Sequence, residues 1–417
     1  MLKIVYKICC GIDVHKDFVV ACIAKTDNNN VTTYQSKRFS TFTKGLRELL
    51  EWLNSNSCKD VCMESTGKYW HPVFNILEDT CNVIIAHPKY VKAIRGKKTD
   101  KKDAKWIADL FKHDLVVSSF IPNLCIRQLR DLCRYYCKLT NLSTSETQRT
   151  QNCLTTSNIQ LASVVSDING KSAQRILTKI LENPSDTNFD IKPLLHKSML
   201  AKTDDIAFAI DGVITQEQAD KLKIIEQHYD SLQLCKTNLE KIIYELAKPY
   251  EHEIALLQTI PGINSKMTAI RIISEVSNDV SSFPTSKHLC SWAGLTPTNN
   301  ESAGKKKSVR ISKAGCYIKP LLVQCGLAAL KSKDNPEISN RYKNLKMRRG
   351  HKKAIIAIAR LLMTVIYHIL QDKVCYDKEL YSRYNQLPTS KEITVEQAIA
   401  LAKRQGYKLV CWLILIF

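Results

Sequence analysis

From Lys3 to Leu110 the chain alternates two kinds of hydrophobic pattern, and their order constrains the fold more than any other feature of the sequence. KIVYKICCGIDV, FVVACIAKT and VTTYQSKRF are β-rich runs separated by polar breaks, NNN among them, and predict a three-stranded meander. TKGLRELLEWL has the apolar spacing of a helix, DVCMES reads as a short strand, and HPVFNILEDT is helical again. CNVIIAHP predicts a buried strand, and KKTDKKDAKWIADL an amphipathic helix behind it. The resulting order, βββαβαβα, implies an α/β sheet covered by helices.

That order also disposes four acids. Asp13 ends the first strand and Glu64 the fourth. In a ribonuclease-H-like arrangement those strands are neighbours, which would place both acids at one sheet edge. Asp100 and Asp103 open the last helix three residues apart, on one face of one turn. Carboxylates gathered this way repel one another unless a cation joins them, and Mg²⁺, a hard ion, prefers oxygen ligands. Metals bridged by carboxylates can activate an attacking oxygen and stabilise a departing one in phosphoryl transfer. Each acid alone has a plainer account. Asp100 and Asp103 suit a helix dipole, Glu64 a buried hydrogen bond, and Asp13 a strand-end turn. Their joint placement favours the metal reading. His15 and Lys16, beside Asp13, are candidates for phosphate contact, although two exposed polar residues would be the cheaper account.

The 417-residue chain carries a formal net charge of +21, with Lys and Arg recurring over most of its length. An extended polyanion-binding surface follows, and nucleic acid is favoured over an anionic membrane. Sixteen Cys occur at irregular spacings without a C-x-x-C or a zinc set, so reduced thiols and a cytoplasmic location are expected. MLKIVYKICCGIDVHKD reaches charge too soon for a signal peptide, and the terminal CWLILIF is too short to span a bilayer. No membrane partner is expected.

After about residue 120 polar helical segments dominate. Leu222, Ile225, Tyr229, Leu232, Cys235, Leu239, Ile242 and Leu246 recur three or four apart, close to a heptad seam. A coiled coil or long antiparallel hairpin gives this pattern, and so does an amphipathic helix packed on its own domain. LLQTIPGINSKMTAIRIISEV is similar to a helix-hairpin-helix, whose turn at Gly262 would offer backbone N–H groups to a phosphate. In NNESAGKKKSVRISKAG, Ser302 is a candidate nucleophile, with Lys305, Lys306 and Lys307 placed to stabilise added negative charge. From spacing alone a turn serine or a simple phosphate contact fits as well. Lys305, Lys306, Lys307, Arg310 and Lys313 suit contacts to the nucleic-acid backbone. Trp292 is expected in the core rather than as a base-stacking platform. A charged tail follows residue 375, with helical spacing at TVEQAIALAKRQG.

GIDVHKD, MESTGKYW, HPKYVKAIRGKKTDKKDAKWIADL, IPGI and WAGLTPTNNESAGKKKSVRISKAGCYIKPLL together resemble the IS110-type transposases, the bridge-RNA-guided recombinases. The resemblance implies a multidomain α/β plus α protein. Its parts would be an RNase H-like (RuvC-like) domain over residues 1–120, a helical or coiled-coil connector over 121–250, a mostly α transposase domain with the helix-hairpin-helix-like segment over 251–375, and a tail over 376–417. The family's acidic tetrad falls on Asp13, Glu64, Asp100 and Asp103, which would hold Mg²⁺, and its nucleophilic serine falls on Ser302. The implied reaction is strand exchange between donor and target DNA through a covalent phosphoserine. A structured noncoding guide RNA and a homo-oligomer, a tetramer, are the implied partners. Two other readings are a RuvC-like endonuclease using water and a nonenzymatic nucleic-acid-binding protein. The tetrad weighs against the second, and the Ser302 loop against the first.

Overall fold

In the computed structural model, β1 (Ile8–Val14), β2 (Phe18–Thr26) and β3 (Thr32–Ser40) form the expected antiparallel meander. Residues 2–65, 67–86, 99–184, 188–297, 300–302, 305–308 and 310–377 are described, the side chains of 300–302 and 305–308 excepted. After α1 (Thr43–Ser55), β4 (Asp60–Glu64) joins β1 in parallel. α2 (Trp70–Leu77) then leads to β5 (Asn82–Ala86), parallel to β4, and the sheet order is β3-β2-β1-β4-β5.

Strand alternation divides the apolar residues of β1 between two helical layers. Cys10, Ile12 and Val14 face α1 and α2, where they pack with Leu46, Leu49, Leu53, Val73 and Leu77. Cys9 faces the other side and packs with Ile107, Ala108 and Phe111 of α3 (Asp100–Lys112). Thr99 caps α3 by accepting a hydrogen bond from the Lys102 N–H, so Asp100 and Asp103 lie in the first turn, where the helix dipole favours them. Burying Ile107 and Phe111 contributes about 1.5–3 kcal/mol each. Where α3 crosses β1 there is no room for a side chain. A Cβ on Gly11 would lie 2.3 Å from both the Ala104 carbonyl oxygen and the Ala108 nitrogen. The glycine therefore sets how closely α3 approaches the sheet.

The chain divides into two compact units, the first ending at Pro122 and the second beginning at Asn123. The second unit is mostly helical, with α4 (Leu124–Thr156), α5 (Leu161–Val164), α6 (Lys171–Glu182), α7 (Thr203–Ala209) and α8 (Gln216–Ala247). α9 (Glu251–Gln258), α10 (Lys266–Val276), α11 (Ser286–Trp292), α12 (Ile318–Ala329), α13 (Pro336–Arg349) and α14 (His351–Asp372) follow. Between α11 and α12, β6 (Asn300–Ser302) and β7 (Lys305–Ser308) form an antiparallel ribbon.

α4 and α8 lie side by side and antiparallel. Tyr136 hydrogen-bonds Glu240, Glu146 contacts His228, and Cys153 meets Gln218, so the partners run in opposite order. The seam differs from its sequence expectation over its second half. Leu222, Ile225, Leu232 and Leu239 are buried as expected, but Ile243 and Ala247 then take the inner positions, while Cys235, Ile242 and Leu246 are exposed. A straight helix drifts about 20° per heptad from a strict seven-residue repeat. Ile243 follows Ile225 by eighteen residues, five full turns, and so returns to the same face. At the other end of α4, Arg134 makes a two-pronged contact with Glu275 of α10, at 2.7 and 2.8 Å. Arg130 donates to the Ser274 and Glu275 carbonyls at 2.8 Å. These bonds fasten the long helical pair to the helices that follow it.

α14 is long and apolar enough to cross a membrane by length and composition, yet 61% of its most apolar window is buried, as in a core helix. The described cysteines are all free. Burial pushes the Cys9, Cys58, Cys62 and Cys133 thiols up to about 12, so these four act as small apolar residues. TVEQAIALAKRQG and CWLILIF lie outside the described residues.

Candidate metal centre and nucleic-acid interface

The alternation that sends Cys9 and Gly11 toward α3 sends Asp13 and His15 the same way. The turn after β1 is closed by the His15 N–H donating to the Phe18 carbonyl at 3.0 Å. The His15 ring packs on the Phe18 ring, their centroids 4.6 Å apart. Its Nε2 then lies 3.1 Å from Asp13 Oδ2 and 3.6 Å from Asp100 Oδ1. Asp13 is buried, whereas Asp100 is exposed at the helix start. Burial pushes the Asp13 carboxyl above its ordinary range; His15 opposes that shift, and Asp103 and Asp100 add to it.

Asp13, His15 and Asp100 each offer a ligand atom within 4.8 Å of the others, close enough to share one cation. Asp103 and Glu64 lie outside that group but belong to the same neighbourhood. Asp103 sits one turn after Asp100 and acts on Asp13 through its charge. Glu64 ends β4, and the register Ile12↔Met63 puts it one strand away from Asp13 at the same end of the sheet. Cys62 packs on the α3 side, and alternation gives Glu64 that side too. The first unit thus collects all four expected acids on one face. His15 was expected only as a phosphate contact, yet it touches two of them, a neighbourhood already implied by its place two residues beyond Asp13. Gly11, which holds α3 close, was not singled out by its sequence.

In the second unit Ser302 ends β6, in register with Lys305, while Lys306 pairs with Glu301 across a bulge. The side chains of Ser302, Lys305, Lys306 and Lys307 lie outside the described residues. Arg310 and Lys313 are exposed in the segment that follows. Lys319, not singled out in the sequence, turns inward, and its Nζ donates to the Ser312 carbonyl at 2.6 Å. Trp292 is half-buried against Phe283, at the edge of the core rather than within it as expected. α9 and α10 flank the Pro-Gly turn as anticipated. At Gly262, φ is +86°, and a Cβ would lie 2.2 Å from the Cys325 carbonyl of α12. That packing accounts for the glycine without a phosphate.

Comparison with known proteins bears on both units. Residues 10–159 match a family model described as Transposase, of the DEDD type named for IS110. Residues 254–343 match one described as Transposase IS116/IS110/IS902 family. The chain is 24% identical to the Pilin gene-inverting protein of Moraxella bovis, over 89% of this chain and 98% of that protein. It is 25% identical to the protein of the same name from Moraxella lacunata, over the same shares. A third similarity, 27% identity over 127 residues, is to the Insertion element IS110 uncharacterized 43.6 kDa protein of Streptomyces coelicolor, and covers 30% of each chain.

Proposed function

Because this chain belongs to the IS110 family of transposases, we propose that it exchanges DNA strands through a covalent phosphoserine, using Asp13, Glu64, Asp100 and Asp103 as its metal-holding acids and Ser302 as its nucleophile. The observation that carries this reading is the approach of Asp13 and Asp100 to within one cation's reach, with Asp103 and Glu64 beside them. The sheet order, with acids ending adjacent parallel strands, supports an RNase H-like (RuvC-like) assignment for the first unit. Residues 121–250 would then be the helical connector, 251–375 the transposase domain and 376–417 the tail.

The donor set suits a hard divalent ion such as Mg²⁺, since the four acids supply oxygens. When bound, the ion would polarise the scissile phosphate and neutralise charge developing on it. The Ser302 hydroxyl forms the new bond to phosphorus, the bond to the 3′-oxygen breaks, and the hydroxyl proton ends on that oxygen. The strand is left with a free 3′-hydroxyl and a 5′-phosphate on the serine. The phosphoester bond is kept, so a second strand's 3′-hydroxyl can displace the serine and rejoin the DNA. Lys305, Lys306, Lys307, Arg310 and Lys313 would grip the DNA backbone and add positive charge near the phosphate.

Gene inversion, named in two of the relatives, requires cut ends to be rejoined, which favours a serine ester over hydrolysis by water. Sequence choice would rest with a structured noncoding guide RNA pairing with donor and target, in a homotetramer. The test is a junction DNA substrate analysed for covalent protein–DNA adduct. Wild type should form an adduct and Ser302→Ala none. An adduct persisting in Ser302→Ala would remove the nucleophile, and cleavage without adduct in wild type would point to water.

A further inference from the structure

The acids of the first unit are not the only groups aimed at the candidate cation. We infer that His15 Nε2 is a ligand of the metal held by Asp13 and Asp100, giving the site one nitrogen donor and a preference for Mn²⁺ over Mg²⁺. This rests on the metal reading of the acids and extends it to a residue outside the tetrad.

Three observations support the assignment. First, the backbone fixes the imidazole on the metal-facing side. His15 lies two residues beyond Asp13, and its N–H closes the turn to Phe18, so the alternation of β1 continues through it. Second, the ring is held in orientation. It packs on Phe18, whose own ring carries the Arg38 guanidinium 3.6 Å from its centroid. Third, the distances match a coordination sphere. Bonds of about 2.1 Å set at right angles place neighbouring donors about 3 Å apart. Nε2 lies 3.1 Å from Asp13 Oδ2 and 3.6 Å from Asp100 Oδ1.

Exposure adds a fourth point. Side-chain exposure rises from 12% at Asp13 to 38% at His15 and 51% at Asp100, so the three donors line one side of a site that opens to solvent. A reactive metal needs that opening for water and a phosphate oxygen. An imidazole among the carboxylates changes which ion fits best. Mg²⁺ favours an all-oxygen shell, whereas transition metals accept imidazole readily. Mn²⁺ accepts both donor types.

The full-length protein, freed of metal and loaded with one equivalent of Mn²⁺, provides the test by pulsed electron paramagnetic resonance. Wild type should show hyperfine coupling to an imidazole ¹⁴N, and His15→Ala and His15→Gln should lose it. Calorimetric titration should show Mn²⁺ affinity falling about tenfold in His15→Ala, with Mg²⁺ affinity changing less. The inference is overturned if the ¹⁴N coupling is absent in wild type or survives both substitutions. If Asp13→Ala still abolishes Mn²⁺ binding in that event, the acid-held metal stands without its histidine. If Asp13→Ala binds Mn²⁺ like wild type, the acid-held metal falls as well.

Discussion

The acids and the serine are carried by unlike pieces of structure. Asp13 lies in a five-stranded sheet beneath a capped helix, and the layers on either side of β1 are filled by buried side chains. Ser302 lies in a three-residue strand paired with one of four residues across a bulge. A sheet of five strands packed on helices stabilises its own geometry, whereas a two-stranded ribbon is marginal alone and takes its shape from what packs against it. Metal binding should therefore be a property of the first unit in any state of the protein. Placement of Ser302, the proposed nucleophile, should depend on what the ribbon meets.

The largest effects test that separation directly. Asp13→Ala and Ser302→Ala should each lower strand exchange by about a thousandfold or more. They should part company in a Mn²⁺ titration without DNA, where Asp13→Ala loses binding and Ser302→Ala retains it. Loss of metal affinity in Ser302→Ala would mean that the two halves do not act separately.

Two glycines sharpen the comparison at the next level. Each lets a helix backbone come close, Gly11 to α3 and Gly262 to α12, and neither has room for a Cβ. Gly11→Ala should push α3 outward and carry Asp100 and Asp103 with it. A displacement of about 1 Å at a reacting centre costs on the order of a hundredfold in rate, and metal affinity should fall as well. Gly262→Ala combines the clash with a positive φ and should destabilise its surroundings by about 2 kcal/mol. Hydrogen–deuterium exchange should report this as faster exchange in α10 and α12, with Mn²⁺ affinity unchanged. If Gly11→Ala alters stability but not metal affinity, the approach of α3 is not what sets the site.

The same comparison explains what could be read from the sequence. The acids of β1 and β4 were legible because strand period and strand order are local signals, and Thr99 before Asp100 marks a helix start. Gly11 was not, because its role exists only where Ala104 and Ala108 cross it. The α8 seam was legible at Leu222, Ile225, Leu232 and Leu239 but not at Cys235, and it slipped after Leu239, because a strict heptad does not carry the accumulating drift that brings Ile243 inward. Charge misled in another way. Arg130, Arg134 and Lys319 count toward the basic total, yet each donates to a partner within the protein. The net charge of +21 already subtracts the acids, so these contacts leave the excess unchanged and show only that three of its cations are engaged inside the protein.

That excess should be sought where cations are exposed. Between Glu337 and Asp372 the chain contains no acid, and Lys343, Lys346, Arg348, Arg349, Lys352 and Lys353 all lie exposed along α13 and the start of α14. The N-terminus of α14 adds its dipole to the same field. The acids of the first unit would bind a small cation at short range, whereas these residues would act on a phosphate backbone through counterion release. The effect of each is small and additive, because each phosphate contact on duplex DNA contributes about 0.9 to the slope of log affinity against log salt. Replacing Lys346 and Arg349 together by Ala should lower that slope by about 2 and weaken binding modestly at low salt. Mn²⁺ affinity should not change. An unchanged slope would show that this face does not touch the duplex, and would move the search for phosphate contacts to Arg310 and Lys313.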